Sequence, residues 1–132
     1  MDERRLSKKS AILTRMAKNE LGLSWQPTQA ELKLFATLPT ENPAVCGPSD
    51  RDNDPDNNPE HSDKWHAQRS INAKLIRWLC IDRRARDLVD PSGIKIYGAK
   101  ITGNLNLKML VIPFALLLDH CAVPDEVSLD SS

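Results

Sequence analysis

The stretch that decides the fold is residues 93–132, which read GIKIYGAKITGNLNLKMLVIPFALLLDHCAVPDEVSLDSS. Apolar residues recur in it every eleven positions, through three full copies and a partial fourth. They form four columns: Ile94, Leu105, Leu116 and Val127; Ile96, Leu107, Leu118 and Leu129; Ala99, Leu110 and Cys121; Ile101, Ile112 and Val123. Such a repeat predicts stacked units that bury their inner columns, and it carries no information about a substrate.

The repeat has to be assigned to helix or strand, because an eleven-residue period also occurs in right-handed coiled coils. Within one unit the apolar residues are two, three, two and four positions apart, which would place them on nearly opposite sides of a helix. Pairs such as Ile94 and Ile96 instead follow the period of two that sends both side chains to one face of a strand. Turn-forming residues stand beside these pairs, at Gly93, Gly98, Gly103, Pro113 and Pro124.

Two architectures fit short strands joined by tight turns: a β-solenoid whose columns stack from turn to turn, or an antiparallel meander folded into a small sandwich. The constant repeat length favours the solenoid, since hairpin loops usually vary in length. If each unit is half a coil, the repeat makes about two coils. We then expect Leu105, Leu116 and Val127 to form one continuous interior ladder, with a row of unpaired backbone groups on the last turn.

The rest of the chain contains helices and a polar segment. Residues 6–21 predict an amphipathic helix. Thr28 and Glu31 predict a capping box that starts a second helix, which ends before Pro39. A third helix over about residues 70–80 is predicted to plug the start of the solenoid with a stripe made of Ile71, Leu75, Trp78 and Leu79. Four zones result: a helical segment 1–38, an acidic linker rich in Pro, Asp and Asn at 39–66, a capping helix region 67–91 and the repeat 92–132.

Composition excludes several function classes. The 18 basic and 18 acidic residues balance, and no segment is basic enough to indicate nucleic-acid binding. Three cysteines at wide spacing predict reduced thiols and therefore a cytoplasmic protein. The N-terminus has no apolar segment typical of a secretory signal. The longest apolar run, 109–118, is too short to span a bilayer, so no transmembrane segment is expected.

One local pattern suggests a metal, the alternating carboxylates Asp50, Asp52, Asp54 and Asp56. A calcium loop counted from Asp50 requires Gly at its sixth position and Glu at its twelfth, where this chain has Pro55 and His61. We therefore predict a solvated acidic loop with Asx-type turns. Asp50 or Asp52 is an alternative partner for Arg69 or Arg77, in an exposed ion pair that contributes of order 0 to 1 kcal/mol.

Cysteine, histidine and lysine residues give no catalytic motif. Cys121 lies in an inward column and His120 faces the other side of the strand, so we do not expect them to act together. Cys80 ends the helical stripe and is predicted to belong to the core. No catalytic, cofactor-binding or metal-binding residue is predicted, and no cofactor. Lysines at the outward positions 95, 100 and 108 predict a solvated face or, alternatively, a surface for an anionic partner.

Five segments resemble uncharacterised bacterial proteins with pentapeptide-like repeats: CGPSDRDNDP at 46–55, LIRWLC at 75–80, LVDPSGI at 88–94, GAKITG at 98–103 and PF at 113–114. The resemblance covers about residues 28–132. It implies a helical N-terminal segment followed by a right-handed β-solenoid, and some of those proteins are labelled membrane-associated oxidoreductases. This chain departs from them because it lacks regular Ala-Asp/Asn-Leu-x-x pentads and has barely four units. The second departure suggests a truncated reading frame or a fragment.

The expectation from sequence is an α+β chain in which a helical N-terminal segment caps a short right-handed β-solenoid of about two coils. We expect a non-enzymatic, repeat-type binding or structural module that contacts a protein partner or a second copy through the open solenoid end. The alternative is a fragment of a longer membrane-associated or redox-labelled solenoid protein with no activity of its own. Neither a ligand nor an oligomeric state follows from the residues.

Overall fold

The computed structural model describes residues 2–22, 24–47, 55–107, 114–123 and 127–128. These residues form helices and short strands in an α+β fold. The helices are α1 (Asp2–Leu21), α2 (Gln29–Thr37), α3 (Ala73–Ile81) and α4 (Arg83–Arg86). The strands are β1 (Ala44–Val45), β2 (Ser70–Asn72), β3 (Ile94–Tyr97), β4 (Lys100–Thr102), β5 (Leu105–Asn106), β6 (Leu116–Asp119) and β7 (Val127–Ser128). Short 3-10 helices occupy Pro55–Asn57, Pro59–Lys64 and Ala67–Arg69.

Helix α1 buries one apolar stripe against α2. Leu13 and Ala17, one turn apart, have no exposed surface. The Ser10 hydroxyl donates to the Phe35 carbonyl at 2.8 Å and joins the two helices. The helix stops at Gly22, whose φ of +104° is readily adopted by glycine. The predicted amphipathic helix over residues 6–21 is confirmed.

The N-terminus of α2 is fixed by the predicted capping box. Thr28 Oγ1 accepts from the Glu31 N–H at 3.1 Å, and Glu31 Oε1 accepts from the Thr28 N–H at 3.0 Å. The second carboxylate oxygen of Glu31 accepts from the Asn72 N–H at 2.9 Å, and the Thr28 hydroxyl donates to the Ser70 carbonyl at 2.6 Å. The capping box therefore also holds α2 against β2.

Helix α3 begins later than the sequence indicates. The apolar stripe is buried as predicted, with exposures of 0 to 5% for Ile71, Leu75, Trp78 and Leu79. Residues 70–72 are a strand, however, because they pair in parallel with residues 100–102 of β4. Asn72 then caps α3 by accepting from the Lys74 N–H at 2.9 Å. The pairing partner of β2 is remote in sequence, so local periodicity could not reveal this strand.

The strands form three small sheets, in the orders β1-β3-β6, β2-β4 and β5-β7, and every pair is parallel. The antiparallel meander is therefore not the arrangement of the described strands. Ile94 lies opposite Leu116, and Leu105 lies opposite Val127. Residues that pair are therefore two eleven-residue units apart in the sequence.

The predicted short right-handed β-solenoid of about two coils, capped by a helical N-terminal segment, is wrong. In the part of the chain that is described, strands of two to four residues are divided among three separate sheets, and no closed coil is formed. The positions beside β3 and β4 are taken by β1 and β2, which come from outside the repeat. Leu105, Leu116 and Val127 do not make one ladder, because Leu116 pairs with Ile94 instead.

Burial along the repeat decreases toward its C-terminal half. The inward residues of the first two units that the structure describes are at most 7% exposed: Ile94, Ile96, Ala99, Ile101, Leu105 and Leu107. Their successors Leu116, Leu118 and Cys121 are half-buried, and Val123 is 48% exposed, which contradicts a fully inward fourth column. Leu110, Ile112 and Leu129 lie outside the described residues.

Candidate functional site

Two surfaces stand out, and the first is the edge of β6 that faces away from β3. The Ala115 carbonyl accepts from the Ile94 N–H at 2.8 Å, and the Asp119 carbonyl accepts from the Gly98 N–H, in the turn after β3, at 3.0 Å. Because backbone groups of a strand alternate between its two neighbours, the N–H and C=O groups of Leu116 and Leu118 point to the other edge. No other strand among the described residues pairs there. We call this the β6 edge (Leu116–Asp119).

Three of the four residues of the β6 edge are leucines, and the fourth, Asp119, shares the outward face with Leu117. Leu117, on the outward face, is 55% exposed, the largest exposure among the large hydrophobic side chains of the described residues. On the inward face, Leu116 and Leu118 contact the core but remain half-exposed. Leu117 also lines an open depression of about 200 Å³ on the outward face of sheet β1-β3-β6, together with Pro43, Val45, Lys95, Ile96, Tyr97 and Asp119.

A polar corner closes the C-terminal end of β6. His120 has a φ of +51°, and its ring stacks on Tyr97 with centroids 5.0 Å apart. His120 Nδ1 lies 2.8 Å from Asp119 Oδ1. The Cys121 thiol lies 3.5 Å from the Ile96 carbonyl, toward the interior. The His120 ring therefore contacts Tyr97 and Asp119, while the Cys121 thiol lies against backbone carbonyls.

The second surface is an open pocket of about 510 Å³, which we call the Trp65 pocket. Six residues of the predicted linker and Arg69, which follows the linker, line it: Cys46, Gly47, Asp56, Lys64, Trp65, His66 and Arg69. The pocket exists because residues 55–69 fold as successive 3-10 turns instead of extending. Asn58 and His66 cap two of these turns by accepting backbone N–H groups at 3.0 and 3.1 Å.

Arg69 fixes one wall of the Trp65 pocket. Its Nε and Nη2 both donate to the Gly98 carbonyl, at 3.1 and 2.8 Å, and its Nη1 donates to the Asp56 carbonyl at 2.9 Å. The guanidinium carbon lies 3.7 Å from the centre of the Trp65 ring, in a cation–π contact. Arg69 therefore ties the 3-10 segment to the turn after β3 and holds Trp65 in place.

The three cysteines are free thiols, and burial makes each a weaker acid. Burial, followed by the charge of Cys121, raises the pKa of Cys46 from 9.0 to about 11. Burial raises the pKa of Cys80 to about 11, and it also raises the pKa of Cys121. Thiols in this state are protonated at neutral pH and are poor nucleophiles and metal ligands. Among the described residues, no three His, Cys, Asp or Glu side chains come together to hold a metal ion.

The charged residues singled out in the sequence are scattered. Asp50, Asp52, Asp54 and Lys108 lie outside the described residues, and so does any ion pair of Asp50 or Asp52. Arg69 is bound to carbonyls as described above, and Arg77 donates to the Asn106 carbonyl at 3.0 Å. Lys95 donates to the Glu41 carbonyl at 2.8 Å, and Lys100 is half-exposed. They do not gather into one cationic surface.

The Trp65 pocket was missed from the sequence because residues 39–66 read as a linker. The available signal was Trp65 itself, a large aromatic residue in an otherwise polar segment, four residues before Arg69. Comparison with known proteins adds no identification: no protein-family model, no curated protein and no solved structure matches this chain. None of the helices described is long and apolar enough to cross a bilayer.

Proposed function

We propose that this chain is a non-enzymatic structural or binding module that associates with a second copy of itself through the β6 edge. The observation that carries the proposal is an edge strand with outward-pointing backbone groups and three consecutive leucines, Leu116 to Leu118, none of them fully buried. Edges of this kind pair readily with another strand unless a charge, a proline or a covering element blocks them.

A second copy suits this edge because the strand is self-complementary. A two-fold axis through Leu117 would align two β6 strands antiparallel and place Leu117 opposite its equivalent on the outward face. On the inward face, Leu116 would lie opposite Leu118 of the second copy. The three leucine positions would then match apolar with apolar, Asp119 of each copy would lie opposite Ala115 of the other, and the edge N–H and C=O groups would gain partners.

The thiol chemistry agrees with a non-enzymatic role in a reducing compartment, which we propose to be the cytoplasm. All three thiols are free, and their raised pKa values keep them protonated. The resemblance to pentapeptide-like repeat proteins stays a prediction.

The proposal is tested by light scattering coupled to size exclusion over a wide range of protein concentration. We expect the wild type to approach twice the mass of one chain as concentration rises. Leu117→Lys should shift the midpoint of dimerisation to at least tenfold higher concentration, because a lysine on each strand places two like charges opposite each other.

Ile81→Lys is the matched control, since Ile81 is 46% exposed on α3, outside the β6 edge. It should dimerise like the wild type. A wild type that stays monomeric at every concentration overturns the proposal. A dimer that tolerates Leu117→Lys overturns the assignment to this edge.

A further inference from the structure

We propose that the groove between α1 and α4 binds an acidic amphipathic helix of a partner protein. The groove is open, has a volume of about 400 Å³ and is lined by Ile12, Arg15, Met16, Arg84, Asp87 and Leu88. None of these residues belongs to β6, so the inference is independent of association through the β6 edge. The lining combines apolar side chains with an excess of positive charge.

The apolar part of the lining continues outward from the core. Ile12 and Met16 are one helical turn apart on α1, and Leu88 follows the end of α4. Met16 and Leu88 pack against the core and are only partly buried. Ile12 is 39% exposed, because the neighbouring Leu13, with no exposed surface, belongs to the stripe of α1 that packs against α2. A second apolar surface in the groove would remove these side chains from water.

The charged part of the lining is predominantly positive. It contains two guanidinium groups, Arg15 from α1 and Arg84 from α4, against one carboxylate, that of Asp87. Both arginines are exposed, and neither forms an ion pair with another residue that the structure describes. Lys8, two turns before Arg15 on the same face of α1, and Arg83, next to Arg84, add exposed positive charge. A partner that complements this surface carries carboxylates beside its apolar residues.

An amphipathic helix matches this arrangement. The lining comes from two chain segments on either side of an open groove, and apolar grooves of this kind receive the apolar face of a helix. Apolar residues three or four positions apart on such a helix would cover the three apolar side chains of the groove. Acidic residues bordering that stripe would reach Arg15 and Arg84. The flexible thioether of Met16 adapts to the shape of the side chains that it meets.

The test follows the Met16 methyl resonance by NMR while a synthetic peptide is added to the full chain, and Met16→Leu assigns that resonance. The peptide has about 18 residues, long enough to form a helix in water. It consists of Ala, Leu and Glu, with leucines three and four positions apart and glutamates on both sides of them. We expect it to move the Met16 resonance in a saturable way. Two control peptides should leave the resonance in place: one has the same residues in scrambled order, and the other has Lys at every Glu position.

Two variants of the groove have matched controls elsewhere. Arg84→Glu should weaken binding of the acidic peptide by about tenfold or more, because it reverses a charge that faces the glutamates of the peptide. Lys74→Glu, the same reversal at an exposed position of α3 outside the groove, should bind like the wild type. Ile12→Asp should weaken binding to a similar extent, because it puts a carboxylate into the apolar lining. Its control is Leu32→Asp, at a position of α2 that is 47% exposed.

The proposal is overturned if the acidic peptide gives no saturable shift, if either control peptide reproduces the shift, or if either groove variant binds as its control does. The titration in the Leu117→Lys background keeps the result separate from association through the β6 edge. In that background, a Met16 resonance that moves with protein concentration alone would assign the groove to a second copy and overturn the proposal. A shift caused only by vesicles of anionic phospholipid would assign it to a lipid surface, with the same consequence.

Discussion

At the scale of single residues, the pairing of β3 with β6 depends on Gly93. Its φ is +102°, and a Cβ atom on it would overlap the Ala115 backbone. The Ala115 carbonyl at that point accepts from the Ile94 N–H at 2.8 Å, which is the first bond between β3 and β6. Gly93 therefore serves both the turn and the close approach of two chain segments.

Comparing Gly93→Ala with Gly103→Ala separates these two effects. Gly103 also has a positive φ, +86°, but a Cβ atom there would meet only the Ala73 Cβ at 3.9 Å. We expect Gly103→Ala to lower the free energy of unfolding by about 1 to 2 kcal/mol through backbone strain. Gly93→Ala should lose about 1 to 3 kcal/mol more because the neighbouring backbone must move. Urea unfolding measures both, and equal losses would mean that the close approach to Ala115 carries no stability.

The glycine corners were predictable from sequence. Gly93, Gly98 and Gly103 stand between the strand pairs of the repeat, and all three have positive φ values. The residues that these glycines contact in the fold were not predictable. Nothing in the local sequence tells that Gly98 approaches Gly47 or that its carbonyl receives two bonds from Arg69. Such contacts depend on tertiary packing rather than on local propensity.

At the scale of elements, Glu31 links a helix to a strand. It is 2% exposed, and its two carboxylate oxygens accept from Thr28 and Asn72. The bond between Glu31 and Thr28 belongs to a capping box whose pattern lies within four consecutive residues, so the helix start was predicted correctly. The bond to Asn72 was not predictable, because it requires β2 to be recognised as a strand.

Glu31→Gln tests that link. The amide offers one oxygen in place of two, so either Thr28 or Asn72 loses its acceptor and faces an NH₂ group. We expect the free energy of unfolding to fall by about 1 to 3 kcal/mol, with faster hydrogen exchange at the amide that lost its partner. Glu20→Gln, at an exposed position of α1, should change stability by less than about 0.5 kcal/mol. Similar effects of the two changes would show that the buried carboxylate does not hold α2 to β2.

At the scale of the whole molecule, the eleven-residue period correctly marked as inward the six column residues of the first two units that the structure describes. It did not determine how the units pair. A strand contacts its partner through backbone groups that every residue carries, so the pattern of side chains is equally compatible with pairing one unit or two units apart. The structure pairs them two units apart and places β1 and β2, segments without the repeat, beside β3 and β4. The pocket of residues 55–69 depends on the same non-local docking.

Two buried thiols in different parts of the fold should make the protein less stable at alkaline pH. The pKa values of Cys46, at the end of β1, and of Cys80, on α3, are raised from 9.0 to about 11, mainly by burial. Below pH 9 both thiols are protonated in the folded and unfolded chain, and the stability that their burial allows is fully present. Between pH 9 and 11 the unfolded chain loses these protons while the folded chain keeps them, so the free energy of unfolding falls as pH rises.

Urea unfolding at pH 8 and at pH 10.5 measures this loss, and a variant carrying Cys46→Ala and Cys80→Ala isolates the thiols from lysine and tyrosine groups that titrate in the same range. We expect the wild type to lose more stability over that interval than the double variant, by up to about 1.4 kcal/mol per thiol and pH unit. The double variant should start from a lower stability at pH 8, because it removes two buried sulfur atoms. Parallel losses in the two proteins would show that the folded and unfolded thiols have the same acidity, contrary to their burial.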